Sequence, residues 1–155
     1  MVEIERKYLV KDISYREVAI SRKRIVQGFL NTDPDRTVRV RIKGDEGFLT
    51  VKGISNASGT TRFEWETGIK VEEAEALLQL CEPSVIDKTR YEIPMGKYLF
   101  EVDEFHGDNE GLIIAEIELD NENDFFERPD WLGEEVTGDI KYYNSQLSKN
   151  PFTGW

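Results

Sequence analysis

The chain has 155 residues, a formal net charge of −11 at pH 7, and 39% hydrophobic and 33% charged residues. This length fits one domain over residues 1–155, and the acidic balance argues against nucleic acid as a partner, because phosphate backbones are attracted to basic surfaces. The N-terminus is charged and no apolar run reaches the length of a membrane span, so we expect no signal peptide, no membrane partner and a cytoplasmic location.

The first half of the chain alternates between hydrophobic and polar residues, which is typical of β-strands. In residues 37–43 the alternation is unbroken, with Val38, Val40 and Ile42 on one face and basic residues on the other. The glycine-flanked segment 44–47 then predicts a hairpin turn. A loop or short turn around 11–21 and a flexible loop over 55–60 separate other strands, and the predicted strands cover residues 2–10, 23–31, 37–43, 48–53 and 61–69.

The second half begins with a change of period. Ala74, Leu77 and Cys81 recur at helical spacing, and acidic residues in the first turn suit the positive end of the helix dipole, so residues 71–80 predict a helix. Cys81 is the only cysteine and is interpreted as a small core residue. Strands are then predicted over 85–93, 98–105 and 112–119, and short helices over 121–126 and 138–147.

These elements together predict an α+β fold, namely a closed antiparallel β-barrel of roughly eight strands with a few flanking helices. Strands that follow one another as hairpins pair by default. About eight strands close into a small barrel that is able to hold one ligand.

Charged residues occupy one face of nearly every predicted strand. On a single strand such a face most often lies in solvent. In a closed barrel, however, one face of every strand points inward, and the recurrence of the pattern favours a polar, ligand-holding interior. The basic residues at these positions are Lys7, Arg39, Arg41, Lys43, Lys52, Arg62, Lys88 and Arg90, and the acidic residues are Glu3, Glu5, Glu64, Glu66, Glu92, Glu101, Asp103, Glu116 and Glu118.

The two sets of charges predict a metal–polyphosphate site. Arg and Lys side chains that converge on one axis repel each other unless a polyanion is bound, and the Arg fork matches phosphate oxygens. Carboxylates beside them would repel phosphate unless a hard divalent cation lies between. Mg²⁺ and Mn²⁺ accept oxygen ligands from carboxylate, water and phosphate together.

An ordered series of short charged motifs runs along the whole chain. It comprises Glu3-x-Glu5-x-Lys7, Arg39-x-Arg41, Lys52, Glu64-x-Glu66, Lys88-x-Arg90, Glu101-x-Asp103, Glu116-x-Glu118 and Lys141-Tyr142-x-Asn144. The series resembles the CYTH-type triphosphate tunnel metalloenzymes, in particular their small single-domain bacterial branch. The resemblance implies an enzyme in which a closed antiparallel tunnel binds a linear triphosphate with Mg²⁺ or Mn²⁺ and hydrolyses it.

The resemblance also implies roles for individual residues. Lys7, Glu5 and Glu118 would be catalytic, and Lys7 would act as a general base if a surrounding positive cluster lowered its pKa. Triphosphate would be bound by Lys7, Arg39, Arg41, Lys52, Lys88 and Arg90, the metal by Glu3, Glu5, Glu116 and Glu118, and Glu64, Glu66 and Asp103 would support the site or hold a second metal.

Phe29 departs from the family pattern. In related bacterial triphosphatases this strand position often carries a tyrosine that partners the motif lysine, and a phenylalanine cannot donate a hydrogen bond. Its presence argues against a Tyr–Lys pair and favours water activated by the metal.

Several functions share this architecture. Adenylate cyclisation of the class IV type and thiamine triphosphate hydrolysis would present the same triphosphate to the tunnel and stay open as alternatives. A non-catalytic module that binds polyphosphate or nucleotide would retain the basic residues without needing the acidic ones. Because the chain has all the expected acids, we predict a metal-dependent triphosphatase acting on a triphosphate-containing small molecule, with a homodimer left open.

Overall fold

The computed structural model describes all 155 residues. It contains three short α-helices, α1 (Tyr15–Val18), α2 (Val71–Leu78) and α3 (Asn144–Leu147), and 3-10 turns at Gly107–Asn109, Ile140–Tyr142 and Phe152–Gly154. None of the helices combines the length and the apolar character that crossing a membrane requires. The strands are β1 (Val2–Val10), β2 (Ser21–Asn31), β3 (Arg36–Lys43), β4 (Glu46–Ser55), β5 (Thr61–Ile69), β6 (Ile86–Met95), β7 (Tyr98–Phe105), β8 (Ile113–Glu118) and β9 (Leu132–Glu135).

Eight of the strands form a closed antiparallel barrel. Their order is β5-β4-β3-β2-β6-β7-β8-β1, and pairing of β5 with the beginning of β1 closes the ring. The ninth strand, β9, pairs with the end of β1, where Tyr8 lies opposite Glu135. The predicted barrel is therefore confirmed, although β9 and the one-turn helix α1 were not predicted, since four-residue elements carry little periodicity.

The predicted helix over 121–126 is wrong. The segment instead forms a turn, in which the backbone N–H of Asn121 donates to the Asp124 carboxylate at 3.3 Å and that of Asp124 donates to the Asn121 carbonyl at 3.2 Å. Asn and Asp side chains compete with helical hydrogen bonds in this way. The predicted helix over 138–147 is divided into a 3-10 turn and α3, because Tyr143 between them is extended at φ −68° and ψ 136°.

The outer face of the barrel is apolar and is covered in two places. Over β6, β7, β8 and β1, Tyr15 of α1 and the aromatic rings of Phe126 and Trp131 complete one buried core. Helix α2 packs on β2, β3 and β4. Gly28 allows this close approach, since a Cβ there would lie 2.9 Å from the Cβ of Cys81.

The inner face changes from charged at one end to apolar at the other. On β1 the charged residues Glu3, Glu5 and Lys7 share the inward face with Leu9, which lies at the apolar end. On β8, which runs in the opposite direction, the inward face continues from Glu116 to Ile114 at the same end. The apolar end is filled by a second core, here called the end core, which includes residues of the C-terminal segment. It consists of Phe29, Ile86, Phe105, Leu112, Ile114, Val136, Tyr142 and Leu147.

Candidate active site

The barrel encloses a cavity of about 240 Å³ that is lined almost wholly by polar residues. Of its 26 lining residues only Phe29 and Tyr143 are hydrophobic. Strand alternation explains this, because it places polar residues on the inward face of each strand and apolar residues on the outward face. Val40 on β3 and Tyr91 on β6, for example, point away from the cavity and are buried against the outside of the barrel. The lining includes every basic residue predicted to face inward, Lys7, Arg39, Arg41, Lys43, Lys52, Arg62, Lys88 and Arg90, and the acids Glu3, Glu5, Glu64, Glu66, Glu101, Glu116 and Glu118.

Asp103 lies behind the lining and anchors two of its cations. Its Oδ1 accepts from the Nε of Arg90 at 2.7 Å, its Oδ2 accepts from the Nη2 of Arg90 at 2.9 Å, and the Nζ of Lys88 lies 2.7 Å from the same Oδ2. All three residues are nearly inaccessible to solvent. Although burial opposes ionisation, the two cations lower the pKa of Asp103 to about 2. Burial, together with the nearby Arg90, lowers the pKa of Lys88 to about 8 in spite of Asp103.

Lys7 is paired with Glu116, whose carboxylate lies 3.2 Å from its Nζ. Burial would lower the pKa of Lys7, but Glu116 and Glu5 outweigh it and raise that pKa. The condition for Lys7 to act as a general base, a positive cluster that lowers its pKa, is therefore not met in the ligand-free protein. In the ligand-free protein Lys7 is a protonated hydrogen-bond donor, and its role as a general base stays a prediction.

Arg39 and Arg41 are only weakly neutralised. Glu66 is the carboxylate within reach of both, at 3.4 Å from Arg39 and 3.6 Å from Arg41, and it also accepts from Thr50 at 2.7 Å. The Nε atoms of both guanidinium groups are buried without a hydrogen-bond partner. Burial, with repulsion from Arg39 and Arg90, lowers the pKa of Arg41 to about 9. These groups have unused capacity to bind an anion.

Lys52 lies among carboxylates in the ligand-free protein. Its Nζ is 3.0 Å from both oxygens of Glu3 and 3.3 Å from Glu64. Burial raises the pKa of Glu3, and the charge of Lys52 opposes this rise. Burial would also raise the pKa of Glu64, but a hydrogen bond with Glu3 and the charge of Lys52 outweigh it and lower that pKa. Two carboxylates therefore share this ammonium in the ligand-free protein.

The four residues predicted to bind the metal come from two adjacent strands, with Glu5 opposite Glu118 in the β1–β8 register. Burial and repulsion from Glu116 and Glu3 raise the pKa of Glu5 well above its usual value, and burial and repulsion from Glu3 raise that of Glu118. Carboxylates that crowd each other in this way suit a hard divalent cation. No three of them form a ready-made metal cage, but Mg²⁺ typically uses only one or two carboxylates together with substrate phosphates. The donor set therefore fits such an ion.

Two residues near the site were not assigned a role from the sequence. Asn144, which was noted only as part of the last motif, lines the cavity and accepts a hydrogen bond from Lys88. Gln27 is fully buried and donates to Asn144. The alternation of β2 places Gln27 on the inward face, but a lone uncharged residue there gave no chemical signal. Glu92, which was expected to face inward, does not line the cavity.

The CYTH domain family matches residues 1–149 of this sequence. The chain belongs to the CYTH family. It is 50% identical over 153 residues to an inorganic triphosphatase of Acetivibrio thermocellus, a match that covers 97% of this chain and 95% of that protein. It is 39% identical over 153 residues to an inorganic triphosphatase of Nitrosomonas europaea, covering 96% and 97% of the two chains.

The barrel also matches a solved structure. A crystal structure of an inorganic triphosphatase aligns with a TM-score of 0.67 and 35% identity, covering 94% of this chain and 97% of that one. The predicted family and closed barrel are thus confirmed, and so is the triphosphatase class of enzyme. Membership of this family also implies that the activity depends on a metal.

Proposed function

We propose that this CYTH protein hydrolyses inorganic triphosphate and uses Mg²⁺ or Mn²⁺ as its metal. The observation that carries the proposal is the imbalance within the cavity. On one wall, Arg39 and Arg41 offer buried N–H donors without partners, while Glu5 and Glu118 on another wall repel neighbouring carboxylates. A polyphosphate anion together with a divalent cation would neutralise both walls at once.

The lining favours inorganic triphosphate over nucleotides and thiamine triphosphate. A purine or thiazole ring is usually held by apolar and aromatic side chains. Here Phe29 and Tyr143 are the only hydrophobic lining residues, and Phe29 belongs to the end core. Cyclisation of ATP and hydrolysis of thiamine triphosphate therefore have less support than hydrolysis of the bare phosphate chain.

The basic residues have the role of binding and charge stabilisation. In hydrolysis, water attacks a terminal phosphorus and releases a proton to solvent, the P–O bond to the leaving pyrophosphate breaks, and the leaving oxygen takes the bonding electron pair. Negative charge on the phosphoryl oxygens and on pyrophosphate would be stabilised by fixed cations that are in place before the reaction. We assign this role to Lys7, Arg39, Arg41, Lys52, Lys88 and Arg90.

The acidic residues divide into two groups in this proposal. Glu3, Glu5, Glu116 and Glu118 would hold the metal, which when bound polarises phosphate oxygens and makes water a better nucleophile. Glu64, Glu66 and Asp103 would orient the cations. Lys7 would reach its phosphate oxygen by leaving or sharing its contact with Glu116.

The test is the release of phosphate from inorganic triphosphate, ATP, GTP and thiamine triphosphate by the purified protein, with Mg²⁺, with Mn²⁺ and with excess EDTA. We expect inorganic triphosphate to have the highest kcat/KM and EDTA to abolish turnover. Equal rates with EDTA would contradict the metal assignment. Formation of cyclic nucleotide from ATP, or a higher kcat/KM for thiamine triphosphate, would replace the proposed substrate.

A further inference from the structure

The ammonium of Lys88 is held by two protein oxygens beside the end core. Its Nζ lies 2.7 Å from the Oδ2 of Asp103 and donates to the Oδ1 of Asn144 at 2.9 Å. Lys88 is 1% exposed, yet it lines the cavity. An ammonium carries three N–H donors in a fixed tetrahedral arrangement. Once two of them are engaged, the direction of the third is set.

Asn144 is itself fixed by two contacts. It begins α3, where its carbonyl accepts from the backbone N–H of Ser148 at 3.1 Å, and Leu147 of the same turn is fully buried in the end core. Its Oδ1 also accepts from the Nε2 of Gln27 at 3.2 Å. With Lys88 and Gln27 both donating to this oxygen, the amide is held in one orientation.

Gln27 has a feature that a purely structural residue would avoid. It is 0% exposed, and its Oε1 is buried without a hydrogen-bond partner. A buried, unsatisfied oxygen destabilises a fold, and an apolar residue at this position would not have that penalty. Gln27 lies opposite Arg41 in the β2–β3 register and donates to the same Asn144 oxygen as Lys88, so it is close to two of the cations proposed to bind phosphate, Arg41 and Lys88.

We propose that Asn144 and Gln27 are positioning residues for Lys88. Asn144 fixes the direction of the ammonium so that its remaining N–H faces the phosphate chain, and Gln27 acts through Asn144 by fixing the amide. This inference rests on the proposed triphosphatase function. It adds the C-terminal segment to the machinery of the cavity, since this segment supplies one of the two oxygens that orient Lys88.

The competing explanation is that Asn144 only fastens the C-terminal segment to the barrel. The variants Asn144→Ala and Leu147→Val separate the two explanations, because Leu147 stabilises the same segment through the end core without a polar contact to Lys88. For both variants and the wild type we compare the melting temperature, kcat and KM, and the Kd of inorganic triphosphate, measured by calorimetry without metal. We expect Asn144→Ala to lower kcat/KM about 10- to 100-fold, because a small misplacement of a positioned group can cost about 100-fold in rate. Leu147→Val should lower the melting temperature and leave kcat/KM within a few-fold of wild type.

A double-variant cycle tests whether Gln27 acts through Asn144. Gln27→Ala should reduce kcat/KM less than Asn144→Ala, and the double variant should be no worse than Asn144→Ala alone. Three results would overturn the inference. In the first, Asn144→Ala and Leu147→Val lose kcat/KM in proportion to their losses of melting temperature, and in the second, Asn144→Ala keeps wild-type kinetics. In the third, the kcat/KM losses of Gln27→Ala and Asn144→Ala multiply in the double variant. If the wild type hydrolyses no triphosphate, the proposed function fails. Triphosphate binding then still tests the positioning role. We expect the Kd of triphosphate to be higher for Asn144→Ala than for wild type and Leu147→Val, and an unchanged Kd contradicts the positioning role.

Discussion

Two sides of the cavity differ in how their charges are balanced. On the side formed by β6 and β7, Asp103 accepts two hydrogen bonds from Arg90 and pairs with Lys88, and all three residues are buried. On the side formed by β3, Arg39 and Arg41 share one carboxylate at distances above 3.3 Å, and their Nε atoms have no partner. We call these the paired side and the unpaired side.

The difference shows that basic residues of the same type perform two tasks. On the paired side Asp103 and Glu101, which accepts from Arg90 at 3.0 Å, balance the two cations without a ligand, so this side can keep its shape between catalytic cycles. The unpaired side holds charge that the protein does not neutralise. Burial and neighbouring cations lower the pKa of Arg41 to about 9, yet it remains charged at pH 7. An anion that binds there relieves this repulsion, so affinity for the ligand is gained at the expense of stability in the free protein.

The largest effect should follow from breaking the paired side. Asp103→Asn leaves Lys88 buried without a paired carboxylate and removes the two-point contact of Arg90, which keeps Glu101. Removing one partner of a buried ion pair typically costs about 3–5 kcal/mol. We expect a large fall in the free energy of unfolding, measured with urea at pH 7, and loss of triphosphatase activity. A variant with wild-type stability would show that the Asp103 pairing is not what holds this wall.

The same variant has a signature in acid. The folded-state pKa of Asp103 is about 2, below the ordinary value of 3.8 for an aspartate, so its stabilising contribution is complete above pH 3.8 and is lost as the pH falls towards 2. The free energy of unfolding of the wild type should therefore decrease more steeply than that of Asp103→Asn across this range. Parallel pH profiles would contradict the lowered pKa.

Next in size is the loss of a cation on the unpaired side. Arg41→Ala removes a preorganised donor, and we expect transition-state stabilisation to fall by about 2–4 kcal/mol, seen as a lower kcat/KM for inorganic triphosphate. The melting temperature of the free protein should stay the same or rise, because Arg41 is repelled by Arg39 and Arg90. A sharply lower melting temperature would place Arg41 on the structural side of the comparison.

Arg41 and Lys88 also show how far the sequence can be interpreted. Alternation alone correctly placed both in the cavity, because a strand face is fixed by the period of two. From the sequence the two residues look equivalent, and both would be expected to be removable without loss of stability. The structure separates them, since only Lys88 is paired with Asp103. Which acid pairs with which base depends on strand order and register across the barrel, and periodicity within one strand contains no such information.

The acids opposite the unpaired side should respond to metal and pH together. Burial, Glu116 and Glu3 raise the pKa of Glu5. If Glu5 is a metal ligand as proposed, metal binding at acidic pH must displace a proton from it. We expect the affinity for Mg²⁺ or Mn²⁺, measured by calorimetry, to rise by up to about tenfold per pH unit below this pKa and to level off above it.

Glu5→Gln is the matching variant for that titration. It should bind metal weakly at every pH, and its metal affinity should no longer depend on pH. Its metal-free form should be more stable than the wild type at neutral pH, since the raised pKa means that ionising Glu5 costs stability as the pH increases. Metal-free binding of triphosphate should be unchanged or tighter, because one repulsive charge is gone. Wild-type metal-dependent activity in Glu5→Gln would remove this residue from the metal site.

The smallest effect is expected at Phe29, where the cavity meets the end core. Phe29 is 4% exposed and packs in the end core while lining the cavity. Lys7, the lysine that a tyrosine at this position would partner, is already held by Glu116 at 3.2 Å. Phe29→Tyr should therefore change kcat for triphosphate by less than about threefold and lower the free energy of unfolding by about 1–3 kcal/mol if the added hydroxyl finds no partner. The pH profile of kcat is the deciding measurement. If kcat of Phe29→Tyr rose tenfold or more and its pH profile showed a new ionisation, a hydroxyl at this position would take part in proton transfer. The wild type, which has phenylalanine there, performs that proton transfer without such a hydroxyl.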